Sequence, residues 1–174
     1  MQKEFQLHNQ PVFLLGFMGS GKTHWGKLWS QQLQLPFSDL DHLIEANEQL
    51  SVADIFEKKG EDYFREKEAA ALRSIPLRNA FISCGGGTPC FLDNMDWMNQ
   101  AGITVFLEAS PRYLLNNILR EPQVRPLLKN MNEAEMLFFI ETKLQERNVF
   151  YKQAQLILPA EEAGPESLQQ IITI

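Results

Sequence analysis

The segment that covers residues 16–23, with the sequence GFMGSGKT, holds the densest group of chemically useful residues in the chain. Glycines let backbone N–H groups close around phosphate oxygens, and the positive end of a following helix dipole points toward them. Lys22 is placed to reach the β- and γ-phosphates of a nucleotide, and the Thr23 hydroxyl is placed to coordinate magnesium. The segment therefore predicts a nucleotide-phosphate site made by Gly19, Ser20, Gly21, Lys22 and Thr23.

The sequence on both sides of this loop supports the prediction. Residues 12–15 are an apolar, β-rich run that directly precedes it. Between positions 25 and 33, apolar residues recur at the i, i+3, i+4 and i+8 spacing of an amphipathic helix. The alternative, a glycine turn between strand and helix with no ligand, would need neither Lys22 nor Thr23.

Asp39 and Asp41 form a second candidate site. They lie two residues apart in a predicted strand over residues 36–41, which would place both side chains on the same face. Neighbouring carboxylates repel each other and are tolerated where a cation separates them. One acid could then support magnesium while the other accepts a hydroxyl proton. The alternative is an exposed acidic strand end.

A second acidic motif, an apolar strand that ends in Asp, is usual in nucleotide-binding folds. Here the corresponding run, residues 80–84, leads instead into three glycines at residues 85–87. Asp39 is therefore the first candidate to support the metal, and Glu108, at the end of a later strand, is the second. Three residues without Cβ let a ligand or another backbone approach closely, although a flexible hinge is the alternative.

Three arginines are candidates for binding anions. Arg65 and Arg147 lie on predicted helices, where either one, taken alone, could be a solvated surface charge. Arg125 lies in a loop that contains prolines, between apolar residues. An arginine that a closing loop brings onto phosphates would neutralise charge that develops during phosphoryl transfer. The alternative for Arg125 is a loop arginine in solvent.

Short apolar runs alternate with helical patterns along the chain, which favours an α/β fold with a parallel sheet flanked by helices. The patterns predict five strands, at residues 12–15, 36–41, 80–84, 103–107 and 155–158. After the helix that follows the loop, they predict helices at about residues 42–47, 51–60, 61–73, 110–120, 133–153 and 166–172. Residues 121–131 contain two prolines and little periodicity, and they are expected to form a mobile loop.

Composition limits the classes of function. The chain has 174 residues, 44% of them hydrophobic, which fits one domain with a substantial core. A formal net charge of −6 argues against broad nucleic-acid binding, which usually needs a basic face. Two cysteines, Cys84 and Cys90, are too few for a disulfide framework and favour reduced thiols in a cytoplasmic protein. No signal peptide and no membrane-spanning stretch are expected.

Taken in order, the motifs resemble those of shikimate kinases. The matching segments are GFMGSGKT, SDLD at 38–41, FREKE at 64–68, SCGGG at 83–87, VRPLL at 124–128 and ERNVFY at 146–151. Each segment alone is weak, but six in the same order and spacing are specific. They extend over about 140 of the 174 residues. The resemblance implies a P-loop kinase fold over residues 1–174, with a substrate-binding region at about 39–73 and a lid at about 121–131.

The resemblance also implies an activity and roles for particular residues. The reaction would move the γ-phosphoryl group of ATP to the 3-hydroxyl of shikimate, in aromatic amino-acid biosynthesis, with Mg²⁺ bound by Thr23 and by Asp39 through water. Asp41 would hold substrate hydroxyls and accept the proton. The remaining assignments are Arg65, Arg147, Gly86 and Gly87 for shikimate, Arg125 for the phosphates and Arg120 for adenine. Kinases of this size usually work as monomers.

Two departures and two alternatives accompany this resemblance. His24 follows Thr23 where the family usually has a second small hydroxyl residue, and residues 159–165 offer no basic side chain to adenine. Within the same chemistry, the alternative is a kinase of another small polyhydroxy acid such as gluconate. From another class, it is a nucleotide-binding regulatory module without turnover. Catalysis is favoured by the presence together of Lys22, Thr23, Asp39, Asp41 and Arg125.

Overall fold

The structure, a computed structural model, describes residues 9–76, 78–120, 128 and 130–173. Its centre is a five-stranded parallel sheet with the strand order β2-β3-β1-β4-β5. The strands are β1 (Pro11–Leu15), β2 (Phe37–Asp39), β3 (Ala80–Ser83), β4 (Ile103–Glu108) and β5 (Leu156–Pro159). This confirms the predicted α/β fold with five parallel strands.

Helices connect these strands and pack on the sheet. They are α1 (Lys22–Leu33), α2 (Leu40–Glu48), α3 (Val52–Ser74), α4 (Asn94–Ala101), α5 (Pro111–Arg120), α6 (Glu133–Tyr151) and α7 (Leu168–Ile171). In the part of the chain that the structure describes, no helix is long and apolar enough to cross a membrane.

Strand β1 lies at the centre of the sheet, with β3 on one side and β4 on the other. Its side chains alternate between the two faces, as the pleat of a strand requires. Phe13 and Leu15 join a buried cluster with residues of α2 and α3, whereas Val12 and Leu14 join a cluster with residues of α1 and α7. All four side chains are fully buried. The strand that leads into the GFMGSGKT segment at residues 16–23, here called the phosphate loop, is therefore rigidly held.

The order of the strands determines which loops meet. Because all five strands run in parallel, their carboxyl ends lie along one edge of the sheet. The loop after β1 is therefore next to the glycine run after β3, and the end of β2 lies beyond that run. These are the three segments in which the sequence predicts phosphate, substrate and metal ligands.

Helix α3 contains a break that agrees with the sequence pattern. Gly60 has φ 85° and ψ 170°, so two helical segments meet there at an angle. The first begins at Ser51, whose side chain accepts a hydrogen bond from the backbone N–H of Asp54 at 3.0 Å. Only glycine tolerates such a backbone conformation at little cost, which explains why the predicted boundary between two helices falls at this residue.

The expected strand over residues 36–41 is wrong in its second half. Strand β2 ends at Asp39, whose carboxylate accepts a hydrogen bond from the backbone N–H of Asp41 at 3.1 Å and so caps α2. Asp41 therefore lies in the first turn of that helix. The two acids do not share a strand face, because the helix begins between them.

Other differences concern element boundaries. Helix α4 was not predicted, because no capping motif marks its start in the sequence. Its N-cap residue Asp93 has φ 54°, and the Asp93 side chain makes no capping hydrogen bond. Helix α6 ends at Tyr151, two residues earlier than expected, and a short 3₁₀ turn at Pro165–Ser167 precedes α7. Of the expected mobile loop over residues 121–131, residues 121–127 and 129 lie outside the described part of the chain.

Candidate active site

The phosphate loop has the conformation that its glycines permit. Gly16, Gly19 and Gly21 have φ values of 143°, 81° and 91°. Asn117 on α5 donates a 2.8 Å hydrogen bond to the carbonyl of Gly19 and so holds the loop from outside. Gly21 then leads into α1, whose first turn carries Lys22. The loop and the helix N-terminus together form an anion-binding geometry.

Lys22 points back over this loop. Its Nζ donates hydrogen bonds to the carbonyls of Gly16 at 2.8 Å and Phe17 at 2.9 Å. These bonds hold the ammonium group beside the backbone that would surround the phosphates.

Thr23, Asp39 and Ser83 meet at the start of α1. The Thr23 hydroxyl donates to Asp39 Oδ2 at 3.0 Å and lies 3.2 Å from the Ser83 hydroxyl. Ser83, the last residue of β3, occupies the place where the usual motif would have its Asp. One hydroxyl and one carboxylate suit a magnesium ion that keeps several of its waters. Among the described residues, no three His, Cys, Asp or Glu side chains form a fuller metal-binding group.

Asp41 is held in an unusual electrostatic environment. Burial, followed by the negative charges of Asp39 and Glu68, raises its pKa to about 6, while the Lys22 ammonium opposes this shift. A carboxylate poised near neutrality is suited to accept a proton from a substrate hydroxyl. Asp41 therefore lines the cavity and has a pKa close to physiological pH.

A cavity of about 320 Å³ brings most of the predicted site together. Its wall includes residues of the phosphate loop, both aspartates, the glycine run and two arginines. Among the lining residues are Gly19, Gly21, Lys22, Thr23, Asp39, Asp41, Arg65, Gly86, Gly87 and Arg147. Residues far apart in the chain thus face one space beside the phosphate loop.

Arg65 is 9% exposed, so it is not the solvated surface charge that its sequence position alone would allow. Nη1 bonds Glu68 Oε2 at 2.9 Å, and Nη2 bonds Glu61 Oε1 at 2.9 Å. Phe91 lies under the guanidinium plane, with its ring centroid 4.1 Å from Cζ. The cation is therefore oriented from three sides, which keeps its position fixed for a ligand.

The three glycines after β3 have specific neighbours. A Cβ on Gly87 would lie 2.6 Å from Nη2 of Arg65, and one on Gly86 would lie 3.1 Å from Nη1 of Arg147. A Cβ on Gly85 would lie 3.1 Å from Oδ1 of Asp41. The three glycines therefore serve to let other groups approach the backbone closely, rather than to form a flexible hinge. Each glycine leaves room for a different polar side chain.

Helix α6 supplies Arg147, which also lines the cavity. The Arg147 guanidinium packs over the ring of Phe17, with Cζ 5.4 Å from its centroid. One helical turn later, the hydroxyl of Tyr151 donates a hydrogen bond to the carbonyl of Gly86. The two residues therefore approach the same glycine from one helix.

Four predicted residues are not part of this cavity wall as described, and one of them, Ser20, is fully buried. Arg125 lies outside the described residues. Arg120 is exposed at the end of α5, and Glu108 is exposed at the end of β4. Neither Arg120 nor Glu108 lines the cavity. Their proposed roles therefore rest on the sequence alone.

Sequence reasoning missed several residues that organise the site. Glu68 is fully buried and accepts a 2.6 Å hydrogen bond from Thr88, in addition to its ion pair with Arg65. The only signal for it was an acid three residues after Arg65 on one helix, which is also common on solvated helices. Tyr151, four residues after Arg147, carried a similarly weak signal.

Comparisons of the sequence with known proteins identify one family. The sequence model of the family Shikimate kinase matches residues 18–174. The chain is 42% identical over 152 residues to the shikimate kinase of Phocaeicola vulgatus, in an alignment that covers 87% of each chain. It is 43% identical over 152 residues to that of Bacteroides thetaiotaomicron, again with 87% of each chain covered.

Solved structures give the same result. The fold matches a crystal structure of shikimate kinase from Bacteroides thetaiotaomicron with a TM-score of 0.87 and 38% identity, covering 94% of each chain. It matches shikimate kinase from Acinetobacter baumannii in complex with shikimate with a TM-score of 0.82 and 29% identity, covering 96% of this chain and 92% of that one. A gluconokinase from Sinorhizobium meliloti 1021 shares only the fold, at a TM-score of 0.52 and 16% identity. The chain belongs to the shikimate kinase family.

Proposed function

We propose that the protein is an ATP-dependent kinase that transfers the γ-phosphoryl group of ATP to the 3-hydroxyl of shikimate, giving shikimate 3-phosphate and ADP. The observation that carries this proposal is the shared cavity, in which Asp41, Arg65 and Arg147 face the same space as the phosphate loop. Family membership supports the choice of shikimate, which supplies a carboxylate for the arginines and hydroxyls for Asp41. The reaction belongs to aromatic amino-acid biosynthesis.

One part of the cavity, here called the acid-binding part, is lined by Arg65, Arg147, Gly86 and Gly87. Its charge and hydrogen-bond donors suit it to bind a carboxylate. Two guanidinium groups from α3 and α6 approach it, and charge-assisted hydrogen bonds of this kind contribute about 1.5–3 kcal/mol each. Gly86 and Gly87 supply backbone N–H groups between Arg65 and Arg147. This arrangement would favour an acid over a neutral polyol of similar size.

The transfer step requires a proton acceptor and a stabilised phosphoryl group. Asp41, with its pKa raised to about 6 by burial and neighbouring acids, accepts the proton of the attacking hydroxyl. Lys22 and the N–H groups of Gly19, Ser20 and Gly21 hold the phosphates. Arg125 is proposed to neutralise charge on the transferring group, and Arg120 to lie against adenine.

A magnesium ion fits the donor set at the start of α1. Thr23 would coordinate it directly and Asp39 through water, because the two side chains already share a 3.0 Å hydrogen bond. When bound, the ion would neutralise charge on the β- and γ-phosphates. Among the residues described, Ser83 is the other hydroxyl within reach of Thr23.

We also propose that the chain is one kinase domain that acts as a monomer in the cytoplasm, where ATP is available. Support for a monomer comes from the size of the chain, because kinases of about this size (174 residues) usually work as monomers. The substrate-binding region would cover about residues 39–73, and a lid would cover about residues 121–131. A lid that opens to release product is a common way to limit turnover in such enzymes.

A coupled assay for ADP release tests the function. Reactions would contain ATP and Mg²⁺ with shikimate, with gluconate, or with neither acid, and a Lys22→Met variant would measure background ATPase activity. Shikimate should increase ADP formation by orders of magnitude over both other conditions. Greater stimulation by gluconate would favour the polyhydroxy-acid alternative. Equal rates in all three conditions would contradict a kinase of either acid and favour a regulatory module.

A further inference from the structure

Tyr151 does not line the cavity, yet its surroundings are specific. Its side chain is fully buried, and its ring stacks on Phe106 with centroids 4.9 Å apart and planes 27° apart. Its hydroxyl donates to the carbonyl of Gly86. Burial raises the pKa of Tyr151, so this hydroxyl stays protonated and remains a donor at physiological pH.

The bond to Gly86 determines the direction of a neighbouring donor. Described peptide bonds include no cis bond, so the peptide between Gly86 and Gly87 is trans and planar. In such a plane, the C=O of Gly86 and the N–H of Gly87 point in opposite directions. Because the carbonyl points at Tyr151, the N–H of Gly87 points away from the buried ring.

The opposite side of this peptide is the acid-binding part of the cavity. Gly86 and Gly87 both line the cavity, and Tyr151 does not. Within the described part of the chain, neither N–H of these two glycines donates a hydrogen bond. A Cβ on Gly87 would lie 2.6 Å from Nη2 of Arg65, so the guanidinium group lies beside the Cα of Gly87, the atom bonded to the nitrogen of this N–H.

We infer that Tyr151 is a positioning residue, which holds the Gly86–Gly87 peptide so that its N–H faces the substrate carboxylate beside Arg65. This inference deepens the proposed function and rests on it. Arg147 lies one turn earlier on α6, and a Cβ on Gly86 would lie 3.1 Å from its Nη1 and 3.7 Å from the hydroxyl of Tyr151. One helix therefore supplies a cation to the acid and sets the direction of a backbone donor to it.

Tyr151→Phe tests the inference, because it removes the hydroxyl and keeps the ring on Phe106. A neutral hydrogen bond contributes about 1 kcal/mol, so the KM for shikimate should rise about fivefold. The KM for ATP should stay within about twofold, since the phosphate loop is untouched. Thermal unfolding of the variant would be measured alongside to show that it is folded.

Tyr113→Phe is the matched control. The Tyr113 hydroxyl donates to the carbonyl of Ala160 at 3.3 Å, so this variant also removes one hydroxyl-to-backbone bond. It should leave the KM for shikimate unchanged. An effect of Tyr151→Phe that arose only from lost stability would lower the fraction of active enzyme, and so the apparent kcat, without a selective rise in the KM for shikimate. An unchanged KM for shikimate, or a parallel rise in both KM values, would overturn the inference.

A second measurement separates this inference from the proposed function. The chain has 10 glycines, so a protein labelled with ¹⁵N-glycine gives a simple amide spectrum. Tyr151→Phe should move the Gly86 and Gly87 signals without any substrate, and Tyr113→Phe should not. Unmoved signals would overturn the inference whatever the enzyme phosphorylates. If the wild-type protein released no ADP with shikimate, the proposed function would fail, while these signals would still show whether Tyr151 orients the peptide.

Discussion

Glu68 lies at 0% exposure in the interior and bonds Nη1 of Arg65 at 2.9 Å. Its second oxygen accepts a 2.6 Å hydrogen bond from Thr88, the residue that follows the glycine run. A buried carboxylate is stable only when it is paired and hydrogen-bonded, and Glu68 meets both conditions. The pair therefore fixes Arg65 relative to the glycine run, so the proposed role of Arg65 in substrate binding would depend on a contact that also stabilises the fold.

Arg65→Ala should affect both properties. Loss of the guanidinium should raise the KM for shikimate about 10- to 100-fold, since charge-assisted bonds to the acid are lost. The melting temperature should fall as well, because Glu68 would remain buried without its cation. Steady-state kinetics and thermal unfolding would measure the two effects. Glu61→Ala, which removes the exposed partner of Arg65, should change stability little. An unchanged KM for shikimate would contradict the carboxylate role of Arg65.

Gly87→Ala should disturb substrate binding by a steric effect, because the added methyl group would occupy space next to Arg65. Gly87 has φ −93° and ψ −12°, a conformation that alanine adopts without strain. Its new methyl group would lie 2.6 Å from Nη2 of Arg65, so the guanidinium would have to move. We expect a KM for shikimate raised about tenfold or more, with little change in melting temperature. Equal KM values for variant and wild type would show that Arg65 adapts without cost.

The raised pKa of Asp41 predicts a pH dependence of activity. With a pKa of about 6, the carboxylate is ionised at pH 7.5 and can accept a proton, whereas below pH 6 it becomes protonated. The value of kcat/KM for shikimate should therefore fall about tenfold per pH unit below that point. Asp41→Asn should lower kcat by about 10²- to 10⁴-fold while ATP still binds. A near-normal kcat in this variant would remove Asp41 from the chemistry.

The same substitution should stabilise the fold above pH 6. Between the ordinary pKa of 3.8 and about 6, folded Asp41 holds a proton that the unfolded chain has lost. Rising pH through this range therefore destabilises the folded state. Asp41→Asn should melt higher than wild type at pH 7.5, and the difference should shrink toward pH 4. Asp62→Asn, at an exposed site on α3, serves as the control and should show no such trend. A variant that melts below wild type at pH 7.5 would contradict this electrostatic account.

Asp39→Asn separates metal binding from the architecture of α2. The amide oxygen of Asn can still accept the N–H of Asp41 and cap the helix, but the negative charge is lost. The Mg²⁺ concentration needed for half-maximal activity should therefore rise several-fold, with little change in melting temperature. A titration with MgCl₂ at fixed ATP would measure this, and an unchanged requirement would exclude Asp39 from the metal site.

The sequence was sufficient for the sheet and the phosphate loop, because their patterns are local. Residues 12–15 are a continuous apolar run, residues 103–107 are apolar except for Thr104, and the loop motif has a fixed spacing. The start of α2 was not predicted. The sequence pattern extends the strand to residue 41, whereas in the structure the Asp39 side chain caps a helix that begins at Leu40. Helix α4 was missed because it begins without a capping signal.

The site was predictable in part. Lys22 and Thr23 follow from the loop motif, but Arg65 and Arg147 became candidates only through the resemblance to shikimate kinases. Nothing in a single sequence shows that residues 82 positions apart approach the same three glycines. Glu68 and Tyr151 act through contacts with other residues of the site, and such contacts depend on tertiary structure.

The phosphate loop and the two arginines Arg65 and Arg147 line one cavity, so the two halves of the site share a single space. A single molecule that joins a carboxylated ring to an oligophosphate chain could therefore occupy both halves at once. Linking the two halves would make the second contact intramolecular, with the gain in avidity that an effective concentration provides. Bisubstrate inhibitors with a short tether are a direct chemical use of this geometry.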